Sequence, residues 1–408
     1  MTINQDYVLA AYLAHGHMNF HKKAQDIAVG LTVGSWTELT KEKKEQMKQH
    51  LGKVVEIKEL KPDLDKVPRA LLTIGYPIQN MQPDLPAILT TVFGKLSMDG
   101  QIKLIDLQLP DSYLRQFPGP RFGIEGVRNI LGIKDRPLLM SIFKQCIGLS
   151  LHELDIEYQN QIEGGVDLVK DDEIFFNDVQ APVLERIKLL EKRNRELYEK
   201  TGKKVLYAAN LTGPVTELLE RAKRYVDGGA SCLLLNVLPY GFDILHRIAS
   251  HPDIHVPIMV HPSFAGALYP SLYYGIAAPL LLGKLMRWTG ADIALYPSPY
   301  GSVTMPKEDA LEVARNLHCD STFHSSAFPV PSAGIYPGLI PVLYRDFGTD
   351  VIVNAGGGIH GHPQGSTAGA KAFVDAIEAV ISKYSLEEAA KISPELQSAL
   401  DKWGAVHE

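Results

Sequence analysis

Residues 164–173 read Gly-Gly-Val-Asp-Leu-Val-Lys-Asp-Asp-Glu. Val166, Leu168 and Val169 form a short apolar run suited to a buried strand, and it passes directly into Lys170, Asp171, Asp172 and Glu173. A strand that ends in carboxylates presents the oxygen ligands Mg²⁺ prefers. The lysine is out of place there, because an ammonium has donors and no lone pair. A neutral lysine amine can add CO₂ and become an anionic carbamate, which would make Lys170 a third oxygen ligand beside Asp172 and Glu173. A plainer reading competes: a solvated acidic turn in which Lys170 pairs with a neighbouring carboxylate.

Outward from this stretch the chain keeps a regular rhythm. Eight strand candidates follow one another: Pro137–Lys144, Val166–Asp172, Val205–Thr212, Cys232–Leu238, Pro257–His261, Ile293–Pro297, Ala327–Ser332 and Val351–Ala355. Helical patterns separate them, among them Ala181–Thr201, Val215–Asp227, Ser271–Thr289, Lys307–Leu317 and Pro337–Phe347. Eight strand–helix units in about 240 residues predict a (β/α)₈ barrel over residues 131–408, closed by a helical tail at Ser385–Trp403. An open doubly wound sheet usually has fewer strands. Residues 1–130 differ, with strands expected at Tyr7–Leu13, Lys53–Leu60, Ala70–Tyr76 and Lys103–Leu109 and helices near Lys22–Val33 and Leu85–Leu96. That order, βαββαβ, predicts an α+β ferredoxin-like domain, with Gln116–Arg136 as the connection. The fold class expected is therefore α/β, a TIM barrel behind a small α+β sandwich.

Composition narrows the function classes. The 408 residues are 45% hydrophobic and 22% charged, enough for two domains with full cores. A net charge of −6 offers no basic surface for nucleic acid. The longest apolar candidate for a membrane span, Ile276–Gly283, is too short and runs into Lys284 and Arg287. The opening Met-Thr-Ile-Asn-Gln-Asp lacks a basic-then-apolar leader pattern, so a cytoplasmic enzyme is expected. Cys146, Cys232 and Cys319 stand apart and form no CxxC.

In barrels the active site lies at the carboxyl ends of the strands. Lys144 ends the first strand, Lys170–Glu173 the second, His261 the fifth, Ser332 and Gly334 the seventh, Gly356 and Gly357 the eighth. Two lysines, two carboxylates and a histidine thus converge on one mouth. The glycines of Ser332-Ala333-Gly334 and Ala355-Gly356-Gly357-Gly358 lie where barrels bind phosphate, though three glycines also make a tight turn. His360 and His362 are read as loop residues, since no third metal ligand stands near them in sequence.

Gly-Ser-Trp-Thr (34–37), Val-Phe-Gly (92–94), the Lys-Asp-Asp-Glu run, Ser-Ala-Gly-Ile (332–335) and Gly-His-Pro (361–363) resemble the large chain of the ribulose-bisphosphate carboxylases and their non-carboxylating relatives. Within that family, Phe-Gly-Lys-Leu-Ser (93–97), Lys-Asp-Asp-Glu-Ile-Phe-Phe (170–176) and Pro-Ser-Pro-Tyr-Gly-Ser-Val (297–303) are most similar to the 2,3-diketo-5-methylthiopentyl-1-phosphate enolases of methionine salvage. The resemblance implies one Mg²⁺ per site on Asp172, Glu173 and a Lys170 carbamate. It implies substrate contacts from Lys144, Lys170, Asp171, Asp172, Glu173, His261, Gly334, Gly356 and Gly357, the three glycines at the phosphate. It makes Lys95 the general base and the assembly a homodimer with shared active sites. Two departures argue against carbon fixation. Gly30 stands where the carboxylases carry a glutamate, and the loop Pro297–Pro306 has no lysine before Lys307. Other readings stay open at this point: an isomerase of another phosphorylated sugar, a carboxylase, or a barrel that binds a phosphometabolite without turnover.

Overall fold

The computed structural model describes residues 5–34, 40–62, 66–176, 179–318 and 322–406. The chain forms two compact units, residues 1–117 with 264–281 and residues 118–263 with 282–408.

The first unit is built on a sheet whose strands lie in the order Gly275–Ile276, Ile102–Gln108, Tyr7–His15, Arg69–Pro77, Lys53–Leu60. The last four pair antiparallel in the fourth–first–third–second order of a ferredoxin-like sandwich. Alternation places Val8, Ala10, Tyr12 and Ala14 on the same buried face as Ala70, Leu72, Ile74 and Tyr76 of the neighbouring strand. Helix Phe20–Gly30 is capped by the Asn19 side chain, which accepts from the Lys22 N–H, and it buries Phe20, Ala24, Ile27 and Ala28 along one stripe. The helix expected at Leu85–Leu96 is three pieces: an α-helix Leu85–Leu89, a π turn Thr90–Gly94 and a 3₁₀ turn Leu96–Met98.

Two expectations are corrected here. Ser271–Thr289 is not one helix: Gly275, at φ +85°, breaks the helical backbone, and Gly275–Ile276 joins the sheet parallel to Ile102–Gln108. Within this stretch regular helical structure is assigned only from Pro279, as a π turn to Lys284 and an α-helix Leu285–Trp288. Residues 264–281 consequently group with the first unit. The stretch read as a connection, Gln116–Arg136, contains a helix, Gly123–Leu131, whose Val127 and Leu131 pack into the barrel core.

The second unit is the barrel. Its parallel strands are Leu138–Ile142, Leu168–Lys170, Leu206–Asn210, Cys232–Asn236, Ile258–His261, Ile293–Pro297, Phe328–Ser332 and Ile352–Ala355. Met140, Leu168, Ala208, Leu234, Leu295 and Val330 fill the interior with other inward apolar side chains. The ladder is continuous from the eighth strand through the first to the seventh and has its one seam between seven and eight. Sequence explains the seam. Phe328 donates its N–H to the Asp292 carbonyl and the Ser332 carbonyl accepts from Ser298 N–H, so these residues face strand six. Pro329 and Pro331, the alternate positions, face strand eight and have no N–H to give. Asn354 bridges the gap by donating from Nδ2 to Ser332 Oγ at 2.9 Å.

Two carboxylates at the amino-terminal rim are spent on structure. Asp292 accepts from the N–H groups of Phe122, Gly123 and Ile258 at 2.7–2.8 Å, and Asp167 holds Arg136 in a fork at 2.7 and 2.8 Å. The opposite rim differs.

Candidate active site

The inward alternation that fills the barrel continues at the carboxyl ends of the strands as Lys170, Asn210, Asn236, His261, Ser332 and Asn354. Lys170 is 0% exposed, an unusual place for an ammonium. Its Nζ donates to the Asp171 carbonyl at 2.9 Å and lies 3.7 Å from Glu173 Oε2. Burial pulls its pKa below the ordinary lysine value, against the opposing pull of Glu173 and Asp172. Beside it, Lys144 Nζ reaches Asp172 Oδ2 at 2.5 Å, and His261 Nε2 stands 3.5 Å from Glu173 Oε2. Burial and the charge of Lys170 push His261 down to about 3, so its imidazole is neutral. Burial raises the Glu173 carboxyl, but Lys170 and Lys144 outweigh it and leave the group below its usual range.

Among the described residues no three His, Cys, Asp or Glu side chains gather into a metal cage. Asp172 and Glu173 could supply two carboxylates to such a cage, with Lys170 beside them. The donor set fits a hard cation only when that lysine carries oxygens. A buried amine with a lowered pKa is the form that adds CO₂, so the residues present fit a carbamate and Mg²⁺.

Asp171 does something other than the substrate contact expected of it. The alternation that turns Lys170 inward turns Asp171 outward, where it is 0% exposed. Oδ1 accepts from Tyr207 OH at 2.7 Å; Oδ2 accepts from Arg186 Nη2 at 3.0 Å and Asn210 N–H at 2.9 Å. Arg186 also donates to the carbonyls of Phe176 and Ala181 and lies 3.8 Å above the Phe175 ring. Removing either partner of such a buried pair costs roughly 3–5 kcal/mol. Asp171 and Arg186 are thus a strut beneath the loop that carries Asp172 and Glu173.

Sequence reasoning also passed over two asparagines. Asn210 donates to the Asp172 and Glu173 carbonyls at 3.1 Å, and Asn236 donates to the Glu173 carbonyl at 3.2 Å. Ser263 links Asn236 to His261, at 2.9 and 2.8 Å. The signal was present: Leu-Tyr-Ala-Ala-Asn and Cys-Leu-Leu-Leu-Asn are apolar runs that end on an amide at the catalytic rim.

The glycine loops stand where expected. Gly334 has φ +72°, and a Cβ there would meet the Ser302 nitrogen at 2.4 Å, so the loop after strand six touches the loop after strand seven backbone to backbone. A Cβ on Gly356 would meet Lys144 Cε at 3.0 Å, which places Lys144 against the eighth-strand loop, and Gly357 opens the short helix Gly357–His360. His360 and His362 tie this loop to the carbonyls of Ile142 and Glu395. Lys95 belongs to the first unit. It is exposed and lines a cleft of about 340 Å³ with Lys23, Asp26, Gly30 and Asp99. Trp36 and Thr37 lie outside the described residues.

The ribulose bisphosphate carboxylase large chain matches in both parts, its N-terminal domain over residues 2–113 and its catalytic domain over residues 123–403. A protein of Geobacillus thermodenitrificans named 2,3-diketo-5-methylthiopentyl-1-phosphate enolase is 52% identical over 406 residues, 98% of each chain. The crystal structure of a rubisco-like protein (MtnW) from Alicyclobacillus acidocaldarius shares 50% of its residues, with a TM-score of 0.92 over 98% of this chain and 100% of that one. The octameric Rubisco of Pyrococcus horikoshii is more distant, at 30% identity and a TM-score of 0.90 over 99% of this chain and 95% of its own. The chain therefore belongs to the ribulose bisphosphate carboxylase large-chain family.

Proposed function

We propose that this chain is an isomerase of methionine salvage, which converts 2,3-diketo-5-methylthiopentyl-1-phosphate to 2-hydroxy-3-keto-5-methylthiopentenyl-1-phosphate. The observation that carries the reading is the fully buried Lys170 beside Asp172 and Glu173, in a chain sharing half its residues with proteins named for that reaction. The C1–H bond breaks, a C1=C2 double bond forms, and the C2 carbonyl oxygen gains a proton. Lys95 removes the C1 proton; an amine does so only in its neutral form. Mg²⁺ held by Asp172, Glu173 and carbamylated Lys170 would supply a Lewis acid for the substrate oxygens. Lys144 and neutral His261 orient the dicarbonyl, while backbone N–H groups at Gly334, Gly356 and Gly357 take the phosphate. Proton transfer from carbon to oxygen is thus shared between one base and one preorganised mouth. The assembly we propose is a homodimer with shared sites, in line with the dimeric archaeal Rubisco of Hyperthermus butylicus, 30% identical with a TM-score of 0.87 over 100% of this chain and 98% of that one. No helix among the described residues is long and apolar enough to cross a membrane, and we place the enzyme in the cytoplasm.

In D₂O the wild type should exchange the substrate's C1 proton, followed by NMR, while Lys95→Ala should bind substrate and exchange little. Undiminished exchange in that variant would move the role to another base, with Lys144 next in line.

Ribulose bisphosphate should not be carboxylated. A side chain at Gly30 would meet open space where the carboxylases place a glutamate. The first lysine after strand six, Lys307, is held by Asp346 at 2.8 Å, together with Arg345 and the Tyr300 hydroxyl. Labelled bicarbonate should therefore give no stable acid product, and phosphoglycerate above a heat-killed control would refute this.

A further inference from the structure

Lys95 stands between a π turn and a 3₁₀ turn, two unusual pieces of helix in succession. Its flanks are anchored: Val92, Phe93 and Leu96 are at most 7% exposed, and the Phe93 ring stacks on Tyr12 at 6.4 Å. Val92 also has a hydrogen bond from far away in sequence. Tyr12, on strand Tyr7–His15, donates its hydroxyl hydrogen to the Val92 carbonyl at 2.6 Å. Tyr12 OH lies 2.7 Å from Tyr76 OH, on strand Arg69–Pro77. A phenol has a single hydrogen, and that of Tyr12 is committed to Val92. Tyr76 must therefore donate to Tyr12, which sets the order Tyr76→Tyr12→Val92 carbonyl. Both tyrosines are 0% exposed, and burial pushes both phenols up, so each keeps its hydrogen. Donation from Tyr76 polarises the Tyr12 hydroxyl and strengthens its hold on the carbonyl.

We infer that Tyr12 and Tyr76 are positioning residues for Lys95: they fix the π turn at Val92 and so set where the amine three residues later projects. The geometry supplies the reason. Two strands of the sheet form the rigid frame, the two phenols span from it to the turn, and the turn carries Lys95 at its end. Neither tyrosine touches the cleft that Lys95 lines, so each acts only through the backbone. The inference rests on the reading of Lys95 as the base.

The test is made on the full-length protein with the phosphorylated diketone. Tyr12→Phe removes both hydrogen bonds with little change of volume, and kcat should fall roughly tenfold with KM unchanged, as for a reacting group displaced by part of an ångström. Tyr76→Phe leaves the bond to Val92 in place and should cost less. Tyr12→Phe combined with Lys95→Ala should be no slower than Lys95→Ala alone, since a lost base has nothing to position. A second readout needs no turnover: acetylation of Lys95 by acetic anhydride, followed by mass spectrometry, should change rate in Tyr12→Phe while Lys188 on the barrel does not. Wild-type kcat and wild-type Lys95 acetylation in a folded Tyr12→Phe would overturn the inference and leave the base assignment standing. Additive losses in the double variant would do the same, because they mark a structural defect unrelated to the amine. Should Tyr12→Phe fail to fold, Tyr76→Phe decides by the same two readouts. If Lys95→Ala itself keeps its exchange, the base assignment fails, while the acetylation result still judges the positioning.

Discussion

Lys170→Met should abolish turnover, with a loss on the order of a thousandfold, because the variant keeps the buried volume and removes the amine that receives CO₂. Losing a ligand of a Lewis-acid site removes several kcal/mol of transition-state stabilisation, and each 1.4 kcal/mol is a factor of ten. The wild type should behave like the variant in CO₂-depleted buffer and recover when bicarbonate and Mg²⁺ are restored together. Activity alone cannot separate a carbamate from a general effect of bicarbonate, so the direct measurement is ¹³C NMR. With ¹³C-bicarbonate a carbamate resonance should appear in the wild type and be missing in Lys170→Met. Physical chemistry favours the modified state at this position. The side chain is fully buried, its ammonium form is disfavoured by burial, and the carboxylates of Asp172 and Glu173 stand beside it. Full activity in carefully CO₂-depleted buffer, with no carbamate signal, would sink the assignment.

Particular residues show how far the sequence carries. Each of the eight barrel strands lies within two residues of its reading, and five of the apolar runs end at a polar residue, Lys170, Asn210, Asn236, His261 or Ser332, on the rim where the strand meets the mouth. The convergence of Lys144, Lys170, Asp172, Glu173 and His261 follows from the strand ends once the barrel is recognised. Asp171 was misplaced although its signal was available. Leu168 and Lys170 face inward, so the period of two turns Asp171 outward and brings Asp172 back to the mouth. Arg186, fifteen residues on and in a helix, gave no local sign that it would close that ion pair. The π turn before Lys95 was invisible for the same physical reason: what fixes it is a hydroxyl eighty residues earlier in the chain. Propensity sees neighbours within a turn, and Val92 is held by a residue of a different element. Residues 264–281 escaped because a two-residue strand carries too little periodicity to be distinguished from the helix that follows it.

Mixing two inactive variants should restore about one quarter of wild-type activity, and the arithmetic depends on where Lys95 and Lys170 come from. They belong to different structural units of the chain, the sandwich and the barrel. If the sandwich of one subunit completes the barrel mouth of its partner, each site takes Lys95 from one chain and Lys170 from the other. Lys95→Ala and Lys170→Ala homodimers are then dead at both sites. After dissociation and random reassociation at equal amounts, half the dimers are hybrids. In a hybrid one site receives Lys95 from the Lys170→Ala chain and Lys170 from the Lys95→Ala chain, and is intact. The other site receives both substitutions. Half the dimers with one working site of two gives roughly one quarter of the sites. Separately tagged subunits, purified as hybrids through both tags, should approach half the wild-type activity, because the homodimers are then removed. Hybrids recovered through both tags and still inactive would mean that each chain supplies both lysines to its own site.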